Sequence, residues 1–151
     1  MTFLGIDTAS PTVSLAIGTA RETLALETMP QTRSSRRLLP ALDSLLTQRG
    51  LGIEELEGIV VVRGPGSFTG MRVGLATVLG LHQATGVRCA TVSTLTALAA
   101  SVEEPDTAVV AAIVAMRYEW LVQSFLSGDP HEARSEPERL STSQLAEQLA
   151  T

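Results

Sequence analysis

Ile59-Val60-Val61-Val62-Arg63-Gly64-Pro65-Gly66-Ser67-Phe68-Thr69-Gly70-Met71-Arg72 sets an apolar, β-branched run directly against a glycine-rich turn. A helical pattern opens behind it, with Val73, Val78 and Leu81 among its apolar residues. Strand, glycine loop, helix N-terminus is the order that presents backbone N–H groups to an anion. Gly64, Gly66, Ser67, Thr69 and Gly70 are therefore candidate ligand-binding residues. The chain contains no lysine. A P-loop needs one to reach the outer phosphates, so that reading fails, and lysine Schiff-base chemistry is excluded with it. On the residues alone a second reading stays open: the glycines only let a strand turn tightly into a close-packed helix.

The flanking sequence reads as one α/β unit. Thr2–Thr8, Val13–Ile17 and Glu22–Thr28 alternate as short strands of an antiparallel meander. A helix is expected over Ser35–Arg49, where Leu38, Leu39, Leu42, Leu45 and Leu46 recur at helical spacing. Gly50 suits its C-terminal end, and Pro40 is expected within its first turn. Ile59–Val62 reads as a central strand covered on both faces. The helix after the loop is expected over Thr69–Thr85. On it Gly70, Gly74, Thr77 and Leu81 share a stripe at spacings of three and four. Small residues there would admit a second backbone, either this chain's own sheet or another subunit.

Arg88–Val92 follows as a strand, and Ser93 or Thr94 can cap a helix to about Ser101. Glu103–Asp106 is the best linker candidate, dividing residues 1–102 from 103–151. Ala108–Ala115 and Glu119–Leu126 read as strands and Ser127–Pro137 as a polar loop. Ser141 with Gln144 forms a capping box for a last helix carrying Leu145 and Leu149. The second part starts the pattern of the first again and stops early.

Composition narrows the function classes. Hydrophobic residues make up 44% of the 151 and charged ones 18%, as in a folded domain. The single Cys89 excludes an internal disulfide and fits a reducing cytoplasm; its apolar segment suggests a buried structural thiol. No apolar run reaches the roughly 18 residues that span a bilayer. The N-terminus shows no basic leader, and a cytoplasmic location is expected. Net charge is −5, and residues 101–151 hold nine acids against three arginines. That balance matches nucleic acid poorly, so contact with RNA is expected to be indirect. His82 and His131 lie too far apart in sequence for metal-ligand spacing, and no metal site is expected. Arg33, Arg36 and Arg37 crowd the start of the first helix, the unfavourable end for positive charge. They form either a solvated basic face or a surface for an acidic partner.

Gly5-Ile6-Asp7-Thr8-Ala9, Leu38-Leu39-Pro40, Arg63 through Gly74 and Val92-Ser93-Thr94-Leu95 together resemble the TsaB (YeaZ) family over about residues 1–100. The resemblance implies an actin/Hsp70-like (ASKHA) α/β fold: a mixed five-stranded sheet flanked by helices, normally present twice, with the second half here short or truncated. It implies a non-catalytic subunit of the machinery that installs threonylcarbamoyl on tRNA adenosine. Such a subunit pairs with a catalytic paralogue, TsaD, through its first two helices, and the ATPase TsaE joins the pair. Arg33, Arg37, Leu38, Leu45, Arg72, Gly74, Thr77 and Leu81 would then face the partner, or a second copy when the chain is alone. The paralogue's HxxxH metal pair is missing, since Ser34 and Leu38 fall in that region. The family's Asp-Ala-Arg turn in the second half reads Ala115-Met116-Arg117. No cofactor of its own is expected beyond a weak ATP or ADP site at the glycine loop. There Asp7 is a cofactor-binding candidate, since in kinases of this fold an Asp near the first hairpin organises metal and phosphate. The competing function is a small phosphotransferase or ATP hydrolase using Asp7 and Gly64–Gly70.

Overall fold

The computed structural model describes residues 1–31, 34–102, 108–126 and 129–150. They fall into two compact units, Met1–Val92 and Ser93–Thr151.

In the first unit β1 (Phe3–Asp7), β2 (Thr12–Gly18) and β3 (Thr23–Pro30) form the antiparallel meander. The chain then crosses through α1 (Ser34–Gln48) to β4 (Gly58–Val62), and through α2 (Phe68–Thr85) to β5 (Cys89–Val92). The sheet order is β3-β2-β1-β4-β5. β1 runs antiparallel to β2, pairing Leu4 with Ile17, and parallel to β4, pairing Leu4 with Ile59. The parallel pairs β1–β4 and β4–β5 are those joined through helices, as chain connectivity demands. This is the mixed five-stranded sheet with flanking helices that the resemblance implies.

Alternation sends Leu4, Ile6, Val13, Leu15, Ile17, Ile59 and Val61 to one face. There they meet Leu38, Leu42 and Leu45 of α1 and Val78 of α2 in one core. Burying each such aliphatic side chain stabilises by roughly 1.5–3 kcal/mol. α2 ends where expected, with Gly86 in the left-handed conformation at φ 75°.

Several expectations need correction. α1 begins at Ser34, so Pro40 lies inside it rather than in its first turn. Pro40 and Arg36 are both exposed, so the Arg36 carbonyl that loses its helical donor faces water. Cys89 is exposed, because β5 is an edge strand and not a covered one. The division between units falls after Val92, not after residue 102. α3 (Thr94–Ala99) packs on β6 (Ala108–Met116), β7 (Glu119–Leu126) and β8 (Asp129–Ala133). Leu95 and Ala99 share a core there with Val109, Ala111 and Phe125. The linker candidate 103–106 and Arg33 lie outside the described residues.

The expected loop 127–137 instead contributes β8, antiparallel to β7 near Phe125, while β9 (Glu138–Ser141) pairs with β7 over Glu119–Val122. With β6 on the opposite edge of β7, β8 and β9 act as one interrupted strand. Polar composition hid them, since backbone pairing leaves no apolar period to read. α4 (Thr142–Leu149) follows, with Ser141 and Gln144 forming the expected capping box. The connectivity β6-β7-β8/β9-α4 therefore repeats β1-β2-β3-α1.

Candidate docking face and glycine-loop site

The glycine loop folds onto the turn that follows β1. Ser67 N–H donates to the Ala9 carbonyl at 2.8 Å, and a Cβ on Gly66 would press against that same carbonyl group. Gly64 adopts φ 95°, a region L side chains avoid. Ser67 Oγ accepts from Gly70 N–H at 3.2 Å and caps α2. One turn on, a Cβ at Gly70 would collide with the Thr8 carbonyl oxygen; at Gly74 it would collide with Thr8 Oγ1. Thr8 is fully buried, and its Oγ1 has no hydrogen-bond partner among the described residues. The absence of side chains at Gly70 and Gly74 lets α2 lie against the end of β1. The question left open by the glycine stripe is thereby answered for these two residues: the neighbour they admit is Thr8 of their own unit, its carbonyl at Gly70 and its side chain at Gly74.

Asp7 serves the same turn. Its Oδ1 accepts from Ala9 N–H at 2.8 Å and Ser10 N–H at 3.2 Å, and its Oδ2 accepts from Ser10 Oγ at 2.6 Å. Both oxygens are thus engaged in a local Asx-type turn. Gln31, which the sequence reading passed over, clamps the turn from β3's end. Its Nε2 donates to the Thr8 carbonyl at 3.0 Å and the Ser10 carbonyl at 3.1 Å. A lone Gln after a strand carries no sequence signal; only the 23-residue separation closed by the fold brings it to Thr8. Thr69 is the second residue of α2 and is exposed.

The residues expected at a partner surface divide. Leu38 and Leu45 are buried in the core of their own unit, and Gly74 is buried against Thr8. These three cannot present a face outward as placed, because α1 and α2 turn their most regular apolar stripes onto the sheet. Thr77 and Leu81 are half-buried, while Arg37 and Arg72 are exposed.

A different set of apolar residues is exposed. On α2, Phe68, Leu75 and Leu79 stand in solvent, Leu79 at 57%. With Arg72 they form a stripe at spacings of four, three and four, one side of a helix. The Arg72 guanidinium lies 5.6 Å from the Phe68 ring centroid, within cation–π range. On α1, Leu39 is 54% exposed. Leu39, Leu42 and Leu46 line a groove of ≈ 320 Å³ with Leu51, Ile53 and Leu81, which joins the two helices at one surface. Sequence periodicity did not separate the exposed Leu39, Leu75 and Leu79 from the core leucines, since both sets share the same helices.

Among the described residues no group of three or more His, Cys, Asp or Glu could hold a metal ion. His82 sets a ring nitrogen 2.8 Å from the Val87 carbonyl, closing the turn after α2; the His131 side chain lies outside the described set. No described helix is long and apolar enough to cross a membrane.

Comparison with known proteins gives these features a context. Residues 28–124, more than half of the chain, match the family model of TsaD, tRNA N6-adenosine threonylcarbamoyltransferase. The tRNA threonylcarbamoyladenosine biosynthesis protein TsaB of Haemophilus influenzae is 36% identical over 115 residues, covering 75% of this chain and 49% of that protein. TsaB of Bacillus subtilis is 36% identical over 103 residues, covering 67% and 44%. The chain thus spans about half the length of the curated relatives it matches. Among solved structures, YeaZ from Pseudomonas aeruginosa superposes with a TM-score of 0.75 at 29% identity, over 93% of this chain and 66% of that one. The glycine loop docked on the β1 turn, the ASKHA-like sheet and these matches agree: the chain belongs to the TsaB (YeaZ) family.

Proposed function

We propose that this chain is a non-catalytic, cytoplasmic subunit in the biosynthesis of tRNA N6-threonylcarbamoyladenosine, and that it heterodimerises with a TsaD-like catalytic paralogue through α1 and α2. The observation that carries this reading is the apolar surface on those helices: Phe68, Leu75 and Leu79 beside Arg72, and the Leu39 groove. Large exposed aliphatic and aromatic groups on two adjacent helices favour a protein partner. The family relationship says which partner to try first. Arg37 and Arg72 would supply the polar rim. A TsaE-like ATPase would join through the complex, and tRNA would be met through the paralogue, consistent with the acidic charge balance.

A nucleotide role for the glycine loop draws less support. Asp7 spends both carboxylate oxygens on its own turn, and Gly66 and Gly70 are close-packed against the Ala9 and Thr8 carbonyls. The phosphotransferase alternative would require that turn to open.

Titration calorimetry against the TsaD-like paralogue tests the proposal. Leu79→Glu leaves the core untouched and is expected to weaken the complex at least about tenfold, the scale of an interface hot spot. Absence of a complex with the unmodified chain would remove the scaffold reading. Turnover of Mg-ATP by the isolated chain, abolished by Asp7→Asn, would install the alternative.

A further inference from the structure

The turn after β1 is held from two directions, and Gln31 supplies one of them. Its successive carbonyls point to different elements. Ala9 accepts from Ser67 N–H of the glycine loop at 2.8 Å, while Thr8 and Ser10 accept from Gln31 Nε2 at 3.0 Å and 3.1 Å. Both of those acceptors are carbonyl oxygens, so the amide nitrogen of Gln31 must face them, and its two N–H groups match the two acceptors. The Gln31 backbone N–H adds a bond to the Pro11 carbonyl at 3.2 Å. Gln31 follows the last strand of the meander and stands three positions before α1 opens at Ser34.

The Gln31–Thr8 bond is also the floor under α2. A Cβ at Gly70 would lie 2.6 Å from Gln31 Nε2 and would collide with the Thr8 carbonyl oxygen. The α2 backbone therefore rests on both partners of that bond. Phe68 and Arg72, two positions to either side of Gly70, are exposed and make the cation–π contact. At about 100° per residue they share the side of the helix opposite to Gly70. One turn of α2 thus carries the Gln31 contact inward and the Phe68–Arg72 pair outward.

We propose that Gln31 is the positioning residue of the α1–α2 docking face: its carboxamide fixes the first turn of α2, and with it Phe68 and Arg72, in the arrangement a partner meets. In naming a partner the inference rests on the scaffold reading above. Thr8 is fully buried, so water replaces a lost donor there poorly and the turn must shift to find another. The shift passes to α2 because the contact at Gly70 is close-packed and has no slack. An interface built on pre-organised residues loses affinity when binding has to order them first.

Gln31→Met and Gln31→Glu keep the length of the side chain and remove both donors. Amide exchange in the free 151-residue chain reads the effect on α2 directly. Both variants should speed exchange at Ser67 and Met71 at least about tenfold, while Ile59 and Val61 of β4 change by less than about threefold. Titration calorimetry against the TsaD-like paralogue should find both variants at least about fivefold weaker than the unmodified chain. A side chain that only fills space is replaced well by methionine, so slow exchange and full affinity in Gln31→Met would overturn the proposal. Equal acceleration at Met71 and Ile59 would overturn it too, since Gln31 would then support the fold at large. Faster exchange at Met71 with unchanged affinity would reject the link to docking. Absence of a complex with the unmodified chain would remove the scaffold reading instead, and the exchange comparison would still decide whether Gln31 positions α2. If Gln31→Met does not fold, Gln31→Glu gives the same comparison.

Discussion

Gly74 and Thr8 show how a glycine can be read wrongly as a partner contact. Gly74 sits at helical spacing from Gly70, which suggests a smooth outer stripe, yet both backbones rest on the end of β1. Gly74→Ala should destabilise by about 1–3 kcal/mol, the range for overpacking a filled site. The obstructing atom is Thr8 Oγ1, a side-chain atom without a hydrogen-bond partner among the described residues, so Thr8→Ala should remove most of that cost. A double-mutant cycle by urea denaturation should therefore return a coupling of at least about 1 kcal/mol. Gly70→Ala meets the Thr8 carbonyl instead, and Thr8→Ala should not rescue it. Equal rescue of both would show that the helix shifts as a body. Cys89 gives a second test at this scale. Partial burial of its sulfur raises the thiol above its ordinary pKa, and Sγ lies 3.5 Å from the Val87 carbonyl. Below the unfolded-state pKa both states hold the proton and nothing is gained or lost. As pH rises past it, the unfolded chain ionises first, so this residue subtracts stability at high pH. Alkylation near neutral pH should run slower than for an unstructured peptide thiol and approach it as pH is raised. Labelling as fast as the peptide's would contradict the shift.

At the scale of the element, α2 combines two opposed demands. Gly70, Gly74 and Val78 form its buried side, while Gly80 is exposed, with no atom within 4 Å of an added Cβ. Gly80→Ala should therefore stabilise the isolated chain by about 0.5–1 kcal/mol through helix propensity, read as a rise in the urea midpoint. If another helix packs closely on this surface, the same change should weaken the complex with the paralogue. A stabilised chain with unchanged affinity would place the docking contact elsewhere on the helix. The elements with a strong period or a punctuating residue were legible beforehand. α2 closes at Gly86, α4 opens with Ser141 and Gln144, and β1, β2 and β4 show their apolar faces. What stayed hidden depends on distant pairing. β8 and β9 are polar strands recognised only by β7. Gln31 reaches Thr8 across the fold. The assignment of α3 to the second unit follows from Leu95 and Ala99 meeting Phe125, which no local pattern reveals. The site was legible as a motif and not as a geometry: Gly64 to Gly70 stood out, but that they close on the β1 turn required the turn's coordinates.

On the scale of the whole molecule, the two units differ in how completely they enclose a core. That of the first draws every buried member from Leu4 to Val87, with both helices and the β1, β2 and β4 strands contributing. The second offers a smaller cluster built around Leu95, Ala99, Val109, Ala111 and Phe125, within a 59-residue span, Ser93–Thr151. Burial rises with chain length, so a span of about 60 residues encloses a smaller core than one of about 90. Residues 1–92 produced alone should therefore unfold cooperatively in urea, with coincident midpoints by circular dichroism and by exchange-protected amides of β1, β2 and β4. Residues 93–151 alone should melt at much lower denaturant. In the 151-residue chain the amides of β6 and β7 should accordingly exchange faster than those of β1 and β4. An unfolded 1–92 fragment, or equal protection across both sheets, would contradict separate cores of unequal size.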